Sequence, residues 1–101
     1  MDTKALVNEA KIRFNQNVAK DYLKNKYKNK LLVAEQGGYW NITIELIAYL
    51  NTETTDTVIL CDTLNNPIKV VRSDLLKVCT DTYNQVMQDW QKEWEALEKN
   101  R

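Results

Sequence analysis

The stretch Ser73–Lys99, SDLLKVCTDTYNQVMQDWQKEWEALEK, contains neither glycine nor proline, and its reading decides the fold. Its apolar residues fall at Leu75, Cys79, Tyr83, Val86, Met87, Trp90, Trp94 and Leu97, the three- and four-residue steps of one helical stripe. Ser73 is placed to cap this helix, and Asp74 suits the positive end of its dipole. At 1.5 Å per residue the helix is roughly 40 Å long, whereas a compact domain of this size has a radius of gyration of about 13 Å. The distal end, with its two tryptophans, must therefore run along a second long helix or meet a partner.

The other end of the chain offers that second helix. Residues 3–27 carry Leu6, Ala10, Phe14, Val18 and Tyr22 in one four-step line, widened by Ala5, Ile12, Ala19 and Leu23, with Thr3 as the expected cap. Asn25 and Asn29 weaken the helix toward a lysine-rich end.

Between the helices the signals are shorter. Leu31–Ala34 suits a buried strand, Gly37-Gly38 a turn, and Tyr39-Trp40-Asn41-Ile42 a returning strand or an irregular link. Thr43 caps a short helix over 44–50. Residues 57–62 and 68–72 flank Thr63-Leu64-Asn65-Asn66-Pro67 and read as a β-hairpin, with Arg72 facing solvent or pairing with an acid. The expected fold is a single α+β domain over residues 1–101. About three antiparallel strands carry long N- and C-terminal helices on one face. Its core is expected to hold Leu31, Val33, Leu46, Ile47, Leu50, Ile59, Cys61, Ile68, Val70, Leu75, Cys79 and Tyr83.

Composition narrows the chemistry. The 101 residues are 44% hydrophobic and 28% charged, as in ordinary globular proteins. There is no histidine, which removes the commonest general base and metal ligand, and Ser73 is the only serine. Phosphate-loop, zinc and calcium motifs are lacking, and Cys61 and Cys79 have no metal-site spacing and are expected as reduced thiols. Glu45, Asp62, Asp74 and Asp81, with Asp89, Glu93 and Glu95 on the last helix, read as helix starts, turn ends and solvated surface. No catalytic residues, metal or cofactor are indicated, and the chain does not read as an enzyme. With no leader and no apolar run of membrane-span length, an intracellular location is expected.

The net charge of zero conceals an asymmetry of about +5 over residues 1–30 against −5 over the remainder. Lys20, Lys24, Lys26 and Lys28, interleaved with Tyr22 and Tyr27, form a solvated face, an acceptor for the acidic last helix, or a nucleic-acid site. Met87, Trp90, Trp94 and Leu97, with the Tyr39–Trp40 corner, form the candidate protein interface, because tryptophan, tyrosine and methionine are enriched at interface centres. Either the two long helices bury this stripe within one chain, or it serves self-association or a different protein partner. Nothing suggests a small-molecule ligand.

Together, Leu31–Trp40 (LLVAEQGGYW), Asp62–Val70 (DTLNNPIKV) and Tyr83–Arg101 (YNQVMQDWQKEWEALEKNR) resemble small uncharacterised accessory proteins of T4-like tailed bacteriophages, particularly those of cyanobacteria and other marine bacteria. The resemblance implies a viral protein acting in the host cytoplasm or carried in the virion, binding a host protein or an assembly component. It brings no site residues with it.

Overall fold

The computed structural model describes residues 3–99. Helix α1 (Thr3–Lys30) leads into β1 (Leu32–Glu35) and β2 (Gly38–Asn41). Helix α2 (Ile44–Thr52) follows, then β3 (Thr57–Cys61), β4 (Pro67–Val71) and the last helix, α3 (Arg72–Lys99). The α+β arrangement with long terminal helices is as expected. α1 is already helical at Thr3 and persists through the lysine-rich stretch to Lys30, three residues beyond the expected end. α3 begins at Arg72, one residue before the expected serine cap.

The strands do not form one three-stranded sheet. They form two separate antiparallel hairpins, β1 with β2 and β3 with β4. The first turns over Gln36 and Gly37, both at positive φ (49° and 82°), the backbone demanded by a two-residue hairpin loop. Gly38 lies beyond that turn, in the strand, where its hydrogen is the only substituent that fits. A Cβ there would stand 2.8 Å from Ile68 Cδ1 and from the Trp40 ring.

Side-chain and loop contacts join the hairpins where a sheet would use a ladder. The Gln36 amide grips one peptide unit of β4, donating to the Val71 carbonyl at 3.2 Å and accepting from the Val71 N–H at 2.7 Å. Asp62 is buried and accepts from the backbone N–H groups of Asn66 (2.9 Å), Leu64 (3.0 Å) and, across the hairpins, Tyr39 (3.1 Å). The Thr63 N–H donates back to the Tyr39 carbonyl at 2.9 Å. Arg72 is half-buried and, among the described residues, makes no ion pair; it donates to the carbonyls of Thr55 and Leu50, both at 2.8 Å, and so ties α2 and its following loop to the start of α3.

Tyr27, Ile42, Leu50, Val70, Leu75 and Cys79 are the most deeply buried side chains, where α2, the hairpins and the end of α1 meet the first half of α3. Ile59 and Cys61, expected in this core, are exposed instead. Both faces of β3 are apolar, so alternation gives no parity, and Val58 and Leu60 take the inner positions. Thr43 caps α2 as expected, accepting from the Leu46 N–H at 3.0 Å.

The long helices run antiparallel, since Lys20 meets Glu98, Lys26 meets Glu93 and Tyr27 meets Trp90. This register leaves α1 overhanging. α3 reaches only as far as about Lys20, and the preceding three-fifths of α1 continues alone for roughly 24 Å. The molecule is accordingly 65 × 24 × 19 Å, with a radius of gyration of 19.4 Å against about 13 Å for a compact chain of this length.

Candidate protein-contact surface

The structure separates the residues of the expected aromatic interface. Trp90 is half-buried, with its ring stacked on Tyr27 at a centroid distance of 6.0 Å and an interplanar angle of 10°. Leu97 is half-buried against the same helical seam. Met87 and Trp94 remain exposed, and with Trp90 and Gln91 they line an open apolar hollow of about 250 Å³ on the flank of α3. The Tyr39–Trp40 corner also divides. Strand alternation turns Tyr39 to solvent and Trp40 inward, where its Nε1–H donates to the Glu35 carbonyl at 2.8 Å.

Two of the four lysines of the basic segment are committed within the chain. Lys20 pairs with Glu98 and Lys26 with Glu93, each at 2.8 Å, whereas Lys24 and Lys28 are exposed. Hydrogen bonding to Lys26, and next to Tyr27, holds the Glu93 carboxyl below its usual range, and the same carboxylate raises Lys26 and Tyr27. Lys26 and Lys30 also stand over the Tyr27 ring, 5.2 and 4.9 Å from its centroid. The charge asymmetry of the chain is thus used at least partly along the α1–α3 seam.

The largest apolar exposure lies on the overhanging arm of α1. From Leu6 to Val18 every side chain is exposed except that of Gln16, which is half-buried. Leu6, Val7, Ile12, Phe14, Val18 and Tyr22 all stand open, Phe14 and Tyr22 by 67% each. At about 100° per residue, the nine steps from Phe14 to Leu23 amount to half a turn. Leu23 belongs to the buried core and faces α3, so Phe14 points directly away from it. Ile12 lies on the α3 side, beyond the end of that helix. The outward face of the arm therefore carries its largest exposed apolar groups, and Ile12 stands alone among polar residues on the other. The four-step line read in the sequence is present, but it is not the seam with α3; Leu23, Tyr27 and Ala19 form that.

Chemistry is sparse elsewhere. Among the described residues no group of three or more Cys, Asp or Glu side chains is placed to hold a metal ion, and no helix is long and apolar enough to cross a membrane. Burial pushes the Cys79 thiol up, away from reactivity, and Cys61 is an exposed free thiol. No protein-family model, curated protein or solved structure matches the chain.

Proposed function

We propose that this chain is a non-enzymatic accessory protein that works by protein–protein contact, with the projecting arm of α1 as its principal docking surface and the Met87–Trp94 flank as a second. One observation carries the reading: Leu6, Val7, Phe14 and Val18 are exposed together on a helical segment that α3 does not reach. Contiguous apolar patches of several hundred Å² on a monomer commonly mark interaction sites. The sequence resemblance to accessory proteins of T4-like phages is what suggests a contact made in virion assembly or host-protein binding, in the host cytoplasm or in the particle.

The test is site-specific photo-crosslinking. A benzophenone amino acid at position 14 or 94 is irradiated in the phage-infected or expressing host. The expected result is a discrete adduct heavier than the 11.8 kDa chain, formed strongly from position 14. Absence of any adduct from both positions would overturn the reading.

A further inference from the structure

We infer that the partner of the arm is a second copy of this chain, with the two arms packed antiparallel about a two-fold axis at Phe14. This rests on the reading of the arm as a protein-contact surface and names its occupant.

The first argument is the extent of the apolar face. On the outward side of α1 the apolar residues Leu6, Val7, Ala10, Phe14, Val18 and Tyr22 run with Lys11 and Asp21 among them, Tyr22 at the margin beside a hollow it shares with Ala96 and Leu97, and Asn25, Lys28 and Asn29 follow. The midpoint of that run is Phe14. Its members Leu6, Ala10, Phe14, Val18 and Tyr22 form a single row at four-residue steps. In antiparallel register Ala10 of one copy comes level with Val18 of the other, small beside branched, and Phe14 meets its own copy at the axis.

Charge agrees with this register. Between Leu6 and Tyr22 none of the five charged residues is level with a like charge: Glu9 comes beside Ala19, Lys11 beside Asn17, Arg13 beside Asn15, Lys20 beside Asn8 and Asp21 beside Val7. A shift of the centre to residue 12 would instead oppose Lys11 and Arg13, which disfavours it.

Area and access agree as well. The exposed apolar surface of one arm is on the order of 500 Å², given about 150–250 Å² for each aromatic side chain. Two arms together reach about 1,000 Å², the lower bound for a specific interface. Because α3 lies on the opposite face of α1, the arms meet without displacing it. The contact is isologous and closes on itself, so it stops at two chains.

Light scattering behind size exclusion, run across the micromolar range, tests the inference on the purified full chain. The mass is expected to rise with concentration from 11.8 kDa toward twice that value. Phe14→Asp, at a position exposed in the single chain, is expected to remain monomeric with an unchanged thermal midpoint measured at low concentration. In a Cys61→Ser background, Phe14→Cys is expected to join two chains through a short thiol–thiol crosslinker, whereas Ile12→Cys on the other face is not. A wild-type chain that stays monomeric, a dimer indifferent to Phe14→Asp, or equal crosslinking from position 12 would each overturn the inference. A monomer whose position 14 still photo-crosslinks to a different protein defeats the dimer and leaves the docking reading intact. A monomer without any adduct defeats both.

Discussion

Trp90 and Trp94 stand one turn apart on α3 and look equivalent in the sequence, yet their removal should have very different effects. Truncating a fully buried aromatic residue to alanine costs about 3–5 kcal/mol. Trp90 is half-buried, so about half of that applies, and loss of its stacking on Tyr27 adds roughly 0.5–1 kcal/mol. Trp90→Ala should thus destabilise the fold by about 2–3 kcal/mol. Trp94 is 43% exposed, on the flank of the helix and outside the core cluster. Trp94→Ala should stay within about 1 kcal/mol of the wild type. For a domain of this length the corresponding falls in thermal midpoint are roughly 10–20 °C and under about 6 °C. Far-UV circular dichroism melts at one fixed low protein concentration measure both, since association would otherwise shift the midpoints. Equal losses for the two variants, or a Trp90→Ala midpoint indistinguishable from wild type, would refute the assignment of Trp90 to the α1–α3 seam.

Two further outcomes test the joint between the hairpins. Gly38→Ala places a Cβ 2.8 Å from Ile68 and from buried Trp40, so it should cost about 1–3 kcal/mol by overpacking, read as a lowered urea midpoint with an unchanged slope. Backbone donors, Asn66 foremost and then Tyr39, hold the Asp62 carboxyl below its ordinary value of 3.8. Its contribution to stability is therefore complete above that value and is lost as pH falls through the lower value it has in the fold. Glu93 acts with the same sign, so the comparison needed is between wild type and Asp62→Asn: the variant should lose less stability than wild type on acidification from pH 6 to 3, and a parallel loss would refute the role of Asp62.

The elements legible in the sequence were those with a local chemical signature. Thr43 announces α2 because a threonine before an apolar helical run has one obvious use, and Asn65-Asn66-Pro67 announces a turn for similar reasons. The parity of β3 was not legible, because Val58 and Leu60 compete with Ile59 and Cys61 on equal terms, and only the surfaces available in three dimensions choose between them. Gln36 carries no signal at all. A glutamine at positive φ beside a Gly-Gly pair invites the turn to be placed one residue late, and its clamp on Val71 spans 35 positions of sequence. Asp62 was explained as a hairpin end, yet its bond to Tyr39 is one of the contacts that hold two hairpins together where a third strand was expected.

The arm was legible as a helix but not as an overhang, and the reason is register. Two helices of 28 residues each suggest a full-length pair, and only the contacts Lys20–Glu98 and Tyr27–Trp90 show that they are offset. The offset has an energetic consequence. The arm contains Asn8, Asn15 and Asn17 with the β-branched Val7, Ile12 and Val18, all weak helix formers. A segment of about 16 residues with such a composition is marginal as an isolated helix in water, and without cover it depends on the packed half of α1 to propagate it. Its amides should therefore exchange hydrogen through local opening, well before those of residues 23–30, which open only with the core. The contrast should be sharp in dilute protein and should shrink as concentration rises and the arm acquires a partner. Uniform protection along the whole of α1 in a dilute monomer would show that the arm needs no cover, and the physical case for a docking surface would fail with it.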